Sequence, residues 1–117
     1  MSRKSSLVAI SHELLEEAGR NQARRASRTV IGGHERTMRQ TVVSLAGGAT
    51  LAEHESPGEA TVYVIAGRVE VTAGDDSWEA SPGDLIEIPD ERHALHALEE
   101  SSVLLTAVPR GFQRSSA

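Results

Sequence analysis

The chain contains no cysteine, which excludes a disulfide framework, thiolate zinc sites and a cysteine nucleophile. Aromatic residues are nearly as scarce: Tyr63, Trp78 and Phe112 are the only ones, so any core must be aliphatic. No window approaches the ~20 apolar residues that a membrane-spanning helix needs. The basic opening MSRKSSLVAI also lacks the apolar run of a secretory leader. Together these gaps predict a soluble, cytoplasmic protein with no membrane partner. A glycine-rich phosphate loop, a serine nucleophile elbow and a paired-carboxylate motif are missing as well.

What remains suits one domain, because 117 residues are too few for two. The net charge of −5 is unevenly spread. Residues 1–39 carry eight Lys/Arg against four Asp/Glu, a balance of +4, and residues 40–117 carry four against thirteen, a balance of −9. A basic arm suggests nucleic acid, yet it has neither interleaved aromatics nor a reading motif. A solvated face that complements the acidic remainder, across a subunit interface for instance, is the better reading.

Local signals divide the chain into residues 1–27 (an arm with a short helix), 28–109 (a barrel) and 110–117 (a polar tail). Ser11 reads as a helix N-cap ahead of HELLEEAG, with Leu14, Leu15 and Ala18 on one face. From Thr29 the pattern changes to short β runs separated by turns. Thr29–Ile31 and Thr37–Leu45 flank Gly32–Glu35, and Gly47-Gly48 precedes Thr50–His54. Pro57-Gly58 is a turn before Thr61–Ala66, and Ala73–Asp76 separates Val69–Thr72 from Trp78–Ala80. Leu85–Ile88, His93–Leu98 and Ser102–Val108 complete eight or nine strands. That leaves no room for crossover helices, so the fold class is all-β: an antiparallel jelly-roll or double-stranded β-helix barrel with a short N-terminal helix. Strand alternation puts Ala60, Val62 and Val64 on one face, opposite Thr61, Tyr63 and Ile65. Of Arg39 and Gln40 only one can face the pocket, and the charged one is expected to face out.

Two segments, GGATLAEHESPGEATVYVIAG (47–67) and GDLIEIPDERH (83–93), resemble the paired motifs of the cupin superfamily, in particular its small conserved-barrel proteins. In a full cupin, two histidines and a glutamate of the first motif join one histidine of the second around a divalent metal. Matched residue by residue, His54 and His93 fall on ligand positions, and the resemblance implies Fe, Mn, Ni or Zn between them. Ser56 stands where the second histidine would be, and Ala60 where the glutamate would be. The second motif is also one residue short between Pro89 and His93. Glu59 and His96 have the wrong strand parity to fill the set, barring a bulge.

Half the ligand set is thus replaced, against the usual need for three protein ligands. The resulting expectation is a stand-alone cupin whose pocket, walled by Ser56, Ala60, Val62 and Val64, binds a small organic ligand, with His54 and His93 as the metal-binding candidates. The alternative is a metal-dependent enzyme of dioxygenase or isomerase type. A third option is a barrel acting through dimer contacts alone. The resemblance also implies a homodimer, with Thr29–Ile31 or the helix at its interface.

Overall fold

The computed structural model describes residues 3–54, 58–89 and 91–109, with Glu53 and His54 described by their backbone only. Ser56, the Pro57 half of the expected turn, and the 110–117 tail lie outside the described residues.

Helix α1 spans Leu7–Arg20 and starts earlier than the sequence suggests. Ser6 is its N-cap, and the Ser6 hydroxyl oxygen accepts a hydrogen bond from the Ala9 amide at 3.2 Å. Ser11 is therefore not a cap. It sits inside the helix, buried, and its hydroxyl donates to the Val8 carbonyl at 2.9 Å. Both serines precede apolar periodic residues, and the cap falls to the one before the first apolar residue of the stripe. Leu7, Ile10, Leu14 and Ala18 form that stripe, and they pack on Ala26, Val42, Ile65 and Leu104 of the sheet below. The helix stops at Asn21, whose side chain accepts from the Arg24 amide at 2.7 Å and donates to the Arg25 carbonyl at 3.0 Å.

Nine strands follow among the described residues: β1 (Arg25–Ile31), β2 (Arg39–Leu45), β3 (Thr50–His54), β4 (Gly58–Ala66), β5 (Val69–Ala73), β6 (Asp76–Ala80), β7 (Leu85–Glu87), β8 (His93–Ala97) and β9 (Ser101–Pro109). The first strand begins at Arg25, so the barrel reaches back past residue 28. Gly58 belongs to β4 and not to a turn. Two sheets form, in the orders β1-β2-β9-β4-β7 and β3-β8-β5-β6, with every pairing antiparallel. The last strand, β9, lies in the middle of the five-stranded sheet between β2 and β4. The expected interface strand Thr29–Ile31 is part of β1, at the edge of that sheet.

The core sits between the sheets. Val43, Leu45, Val62, Val64 and Val103 of one sheet meet Val69, Val71, Leu95 and Ala97 of the other. Burying each such Val or Leu contributes about 1.5–3 kcal/mol, which suffices for a chain with so few aromatics. On the outer side, α1 covers β1, β2 and part of β9 and β4. Between helix and sheet, the Ser44 and Ser102 hydroxyls lie 2.6 Å apart, and the Ser44 hydroxyl donates to the Ser11 carbonyl at 3.5 Å. No helix among the described residues is long and apolar enough to cross a membrane.

Candidate functional site

Alternation along the core strands fixes which residues face inward. Val43 and Leu45 of β2 point between the sheets, whereas Val42 and Ser44 point to α1. In β4, Val62 and Val64 enter the same core, and Tyr63 is exposed on the outer face. The cross-strand registers Val64↔Val103, Val62↔Leu105 and Ala60↔Ala107 carry this inner face upward row by row. The rows shrink from valine and leucine to two alanines, and a space opens where the side chains become small.

That space is a cavity of about 80 Å³ between the two sheets. Leu51, Ala60, Val62, Leu95, Leu105 and Ala107 are among its lining residues, and His93 is the only ionisable lining residue among the described ones. The cavity holds more than one water-sized site, since a single water needs only about 10–15 Å³ on this measure. Its walls offer water few partners, as an apolar ligand site requires.

His93 opens strand β8 and is 9% exposed. Its Nδ1 lies 3.1 Å from the Glu91 carbonyl oxygen. A carbonyl can only accept, so Nδ1 carries a proton. The imidazole is thereby oriented by its own loop.

The sequence-predicted residues divide as follows. Ala60, Val62 and His93 line the cavity. Val64 is not among the lining residues; at 0% exposure it belongs to the packed core beneath. His54 closes β3, and its Cα pairs with that of His93. This pairing depends on a register shift between Leu51, opposite Leu95, and His54. Without the shift, residue 53 would stand opposite His93. Glu59 is exposed with parity opposite to Ala60, and His96 turns the other way from His93, its Nδ1 3.1 Å from the Thr50 hydroxyl. Ser56 lies outside the described residues.

Arg39 corrects the sequence expectation. Its Cα pairs with Ala107, on the inner face of the sheet, while Gln40 pairs with Thr106 on the outer face and donates to the Thr106 hydroxyl at 2.9 Å. Sequence alternation could not phase this strand, because β2 is buried on both faces where α1 and the opposite sheet cover it.

The described donors do not make up the metal centre of a full cupin. Ala60 presents a methyl group where that centre has a carboxylate, and among the described residues no three His, Cys, Asp or Glu side chains lie together.

Residues 41–109 match the cupin domain family. A conserved protein of unknown function from Streptococcus pyogenes has 32% identity, covers 77% of this chain and 78% of its own, and superposes with a TM-score of 0.68. KdgF from a Halomonas species has 26% identity over 78% of this chain and 84% of its own, with a TM-score of 0.64. A Rhizobium leguminosarum protein at 19% identity covers 94% of this chain and 100% of its own with a TM-score of 0.69, and shows the fold alone. No curated protein matches the chain.

Proposed function

The chain belongs to the cupin domain family, and from that premise we propose that it is a binding protein for a small organic ligand held between its two sheets. The observation that carries this reading is the cavity itself: a chamber whose described walls are largely apolar, with the buried, loop-oriented imidazole of His93 among them. Apolar walls supply affinity through burial, and a single well-placed polar group supplies orientation. The replacement of a carboxylate by the Ala60 methyl supports the same reading. It removes a charged donor from the wall and leaves room for carbon.

A metal-dependent enzyme of dioxygenase or isomerase type rests on the Cα pairing of His54 with His93. Two histidines fall short of the three protein ligands usual in catalytic centres, so no reaction step is assigned to a metal.

Titration with isobutyramide, followed by methyl NMR, tests the proposal. The Val62 and Leu105 methyls should shift on addition, and those of Leu14 on the helix side should not. Ala60→Leu fills the chamber and should abolish the response. Unchanged lining methyls in the wild type, or equal shifts in Ala60→Leu, would refute a ligand site in this cavity. Elemental analysis of the purified protein should find no stoichiometric Fe, Mn, Ni or Zn. A stoichiometric metal lost in both His54→Ala and His93→Ala would replace the binding reading with the metal-dependent one.

A further inference from the structure

One row on the outer face of the five-stranded sheet runs from beneath α1 into solvent: Val42 of β2, Leu104 of β9, Tyr63 of β4 and Leu85 of β7. Exposure climbs along it. Val42 is 0% exposed, Tyr63 38% and Leu85 64%. The cause is the placing of α1, which lies on β1 and β2 and reaches only the margin of β9 and β4. Beside this row stands a second, Thr106, Thr61 and Glu87, and then a third, Val108 and Glu59. The β4–β7 half of the outer face is thus a sheet surface that α1 leaves uncovered, with two adjoining large hydrophobic side chains on it. Apolar surface of this kind, rimmed by polar groups, marks a place of contact.

The charge of this half is of one sign. Glu59 and Glu87 are exposed on it, and β4 and β7 carry no Lys or Arg. A second copy docked here about a two-fold axis would set these carboxylates against their own counterparts, which is destabilising. The face calls instead for an apolar group flanked by cations. Such a segment follows β9 directly in the sequence: Arg110-Gly111-Phe112-Gln113-Arg114, within residues 110–117. In extended chain Arg110, Phe112 and Arg114 share one side, which places an aromatic ring between two guanidiniums. β9 ends at Pro109, whose Cα pairs with that of Gly58 at the start of β4. Pro109 and Gly111 suit the second and fourth positions of a type I turn, which would send the chain back over the sheet. The Tyr63 row is five residues back along β9 from Pro109, roughly 17 Å at strand rise. The eight residues 110–117 can span about 27 Å.

We propose that this half of the outer face is the docking site of residues 110–117, with Phe112 against Tyr63 and Leu85 and the two arginines beside Glu59 and Glu87. Three residues past Pro109, Phe112 reaches about 10 Å, the level of Thr61 and Thr106, and its ring meets Tyr63 and Leu85 in the row beyond. An aromatic pair of this kind adds to what burial alone contributes. Arg110 stands nearest Glu59, because both adjoin the end of β9, and Arg114 has the length to reach Glu87. The docking lies on the side of the sheet away from the cavity and does not depend on the cavity being a ligand site.

Methyl NMR on the full chain provides the test. Phe112→Leu keeps an apolar side chain but removes the ring and its magnetic influence on nearby methyls. The Leu85 methyls should therefore shift, and those of Leu98, exposed between β8 and β9, should not. Arg110→Glu together with Arg114→Glu should move the Leu85 methyls in the same direction, and added salt should do so in part. The buried Leu14 methyls, unchanged throughout, report that the variants keep the fold. Leu85 methyls indifferent to Phe112→Leu would overturn the proposal. So would Leu85 shifts that grow with protein concentration alongside a dimer mass in light scattering, because the occupant would then be a second copy.

Discussion

Substituting Gly67 by alanine separates two physical demands that the first cupin motif makes of its terminal glycine. Gly67 follows β4 at a φ of +82°, and a methyl group there would run into the Glu100 carbonyl oxygen and the Ser101 hydroxyl, with the Ser101 Cα at 2.7 Å. The obstructing turn is tied down. The Ser101 hydroxyl accepts from the Arg68 amide at 3.0 Å and contacts the Glu99 carbonyl at 2.6 Å. Holding an L-residue in the left-handed region costs about 1–2 kcal/mol, and forcing extra volume into a packed site costs about 1–3 kcal/mol. Gly67→Ala should therefore destabilise by about 2–5 kcal/mol, against a total of about 5–15 kcal/mol for an ordinary domain. Gly83 supplies the control: its φ is +94°, yet nothing lies within 4 Å of the added methyl. Gly83→Ala should lose only the conformational part, about 1–2 kcal/mol. Gly19, inside α1 with nothing within 4 Å, should gain about 0.5–1 kcal/mol as alanine. Urea unfolding of the three variants, with midpoints compared at constant slope, gives the order Gly19→Ala, Gly83→Ala, Gly67→Ala from most to least stable. Equal losses at Gly67 and Gly83 would refute the steric half of this reasoning.

Two further outcomes follow from packing. Ser44→Ala leaves the buried Ser102 hydroxyl without the partner it has at 2.6 Å and should cost about 1–3 kcal/mol. Ser44→Ala with Ser102→Ala should cost less than the two single losses combined, measured by a double-mutant cycle in urea. Leu14→Ala removes the 1%-exposed anchor of α1 and should cost about 2–5 kcal/mol. If α1 were an appendage and not part of the cooperative unit, near-UV and far-UV transitions of that variant would separate.

Much of the barrel is legible in the sequence because its punctuation is chemical. Gly67 and Gly83 mark sharp corners, Pro89 closes a strand region, and short alternating runs between them leave no length for crossover helices. The family's ligand positions were legible for the same reason, and so was the absence of a carboxylate at Ala60. Two things were not. Strand phase is hidden wherever a strand is covered on both sides, because a stretch such as Val42–Leu45, buried on both faces, has no exposed face to set its parity; that is why Arg39 reads as outward in sequence while its Cα lies at an inner-face position in the fold. The register shift between Leu51 and His54 is likewise invisible, since a one-residue bulge leaves composition unchanged and re-aims everything beyond it. The helix start was misplaced for a different reason. Ser6 and Ser11 are both plausible caps, and only the packing of Leu7 and Ile10 on the sheet chooses between them.

The position of β9 has a consequence for the order in which the barrel can form. It follows the other strands in the chain, yet both of its edges are occupied, by β2 on one side and β4 on the other. While the protein is being made, β2 and β4 have no partner between them until Ser101–Pro109 clears the ribosome, and the Ala107 part of the cavity wall does not exist. The five-stranded sheet therefore cannot close before β9 is available, and it does so by closing loops of large sequence separation, a slow class of folding event. Shortening the chain into β9 should leave two bare strand edges exposed at once. Such truncations are expected to aggregate, and not merely to lose ligand.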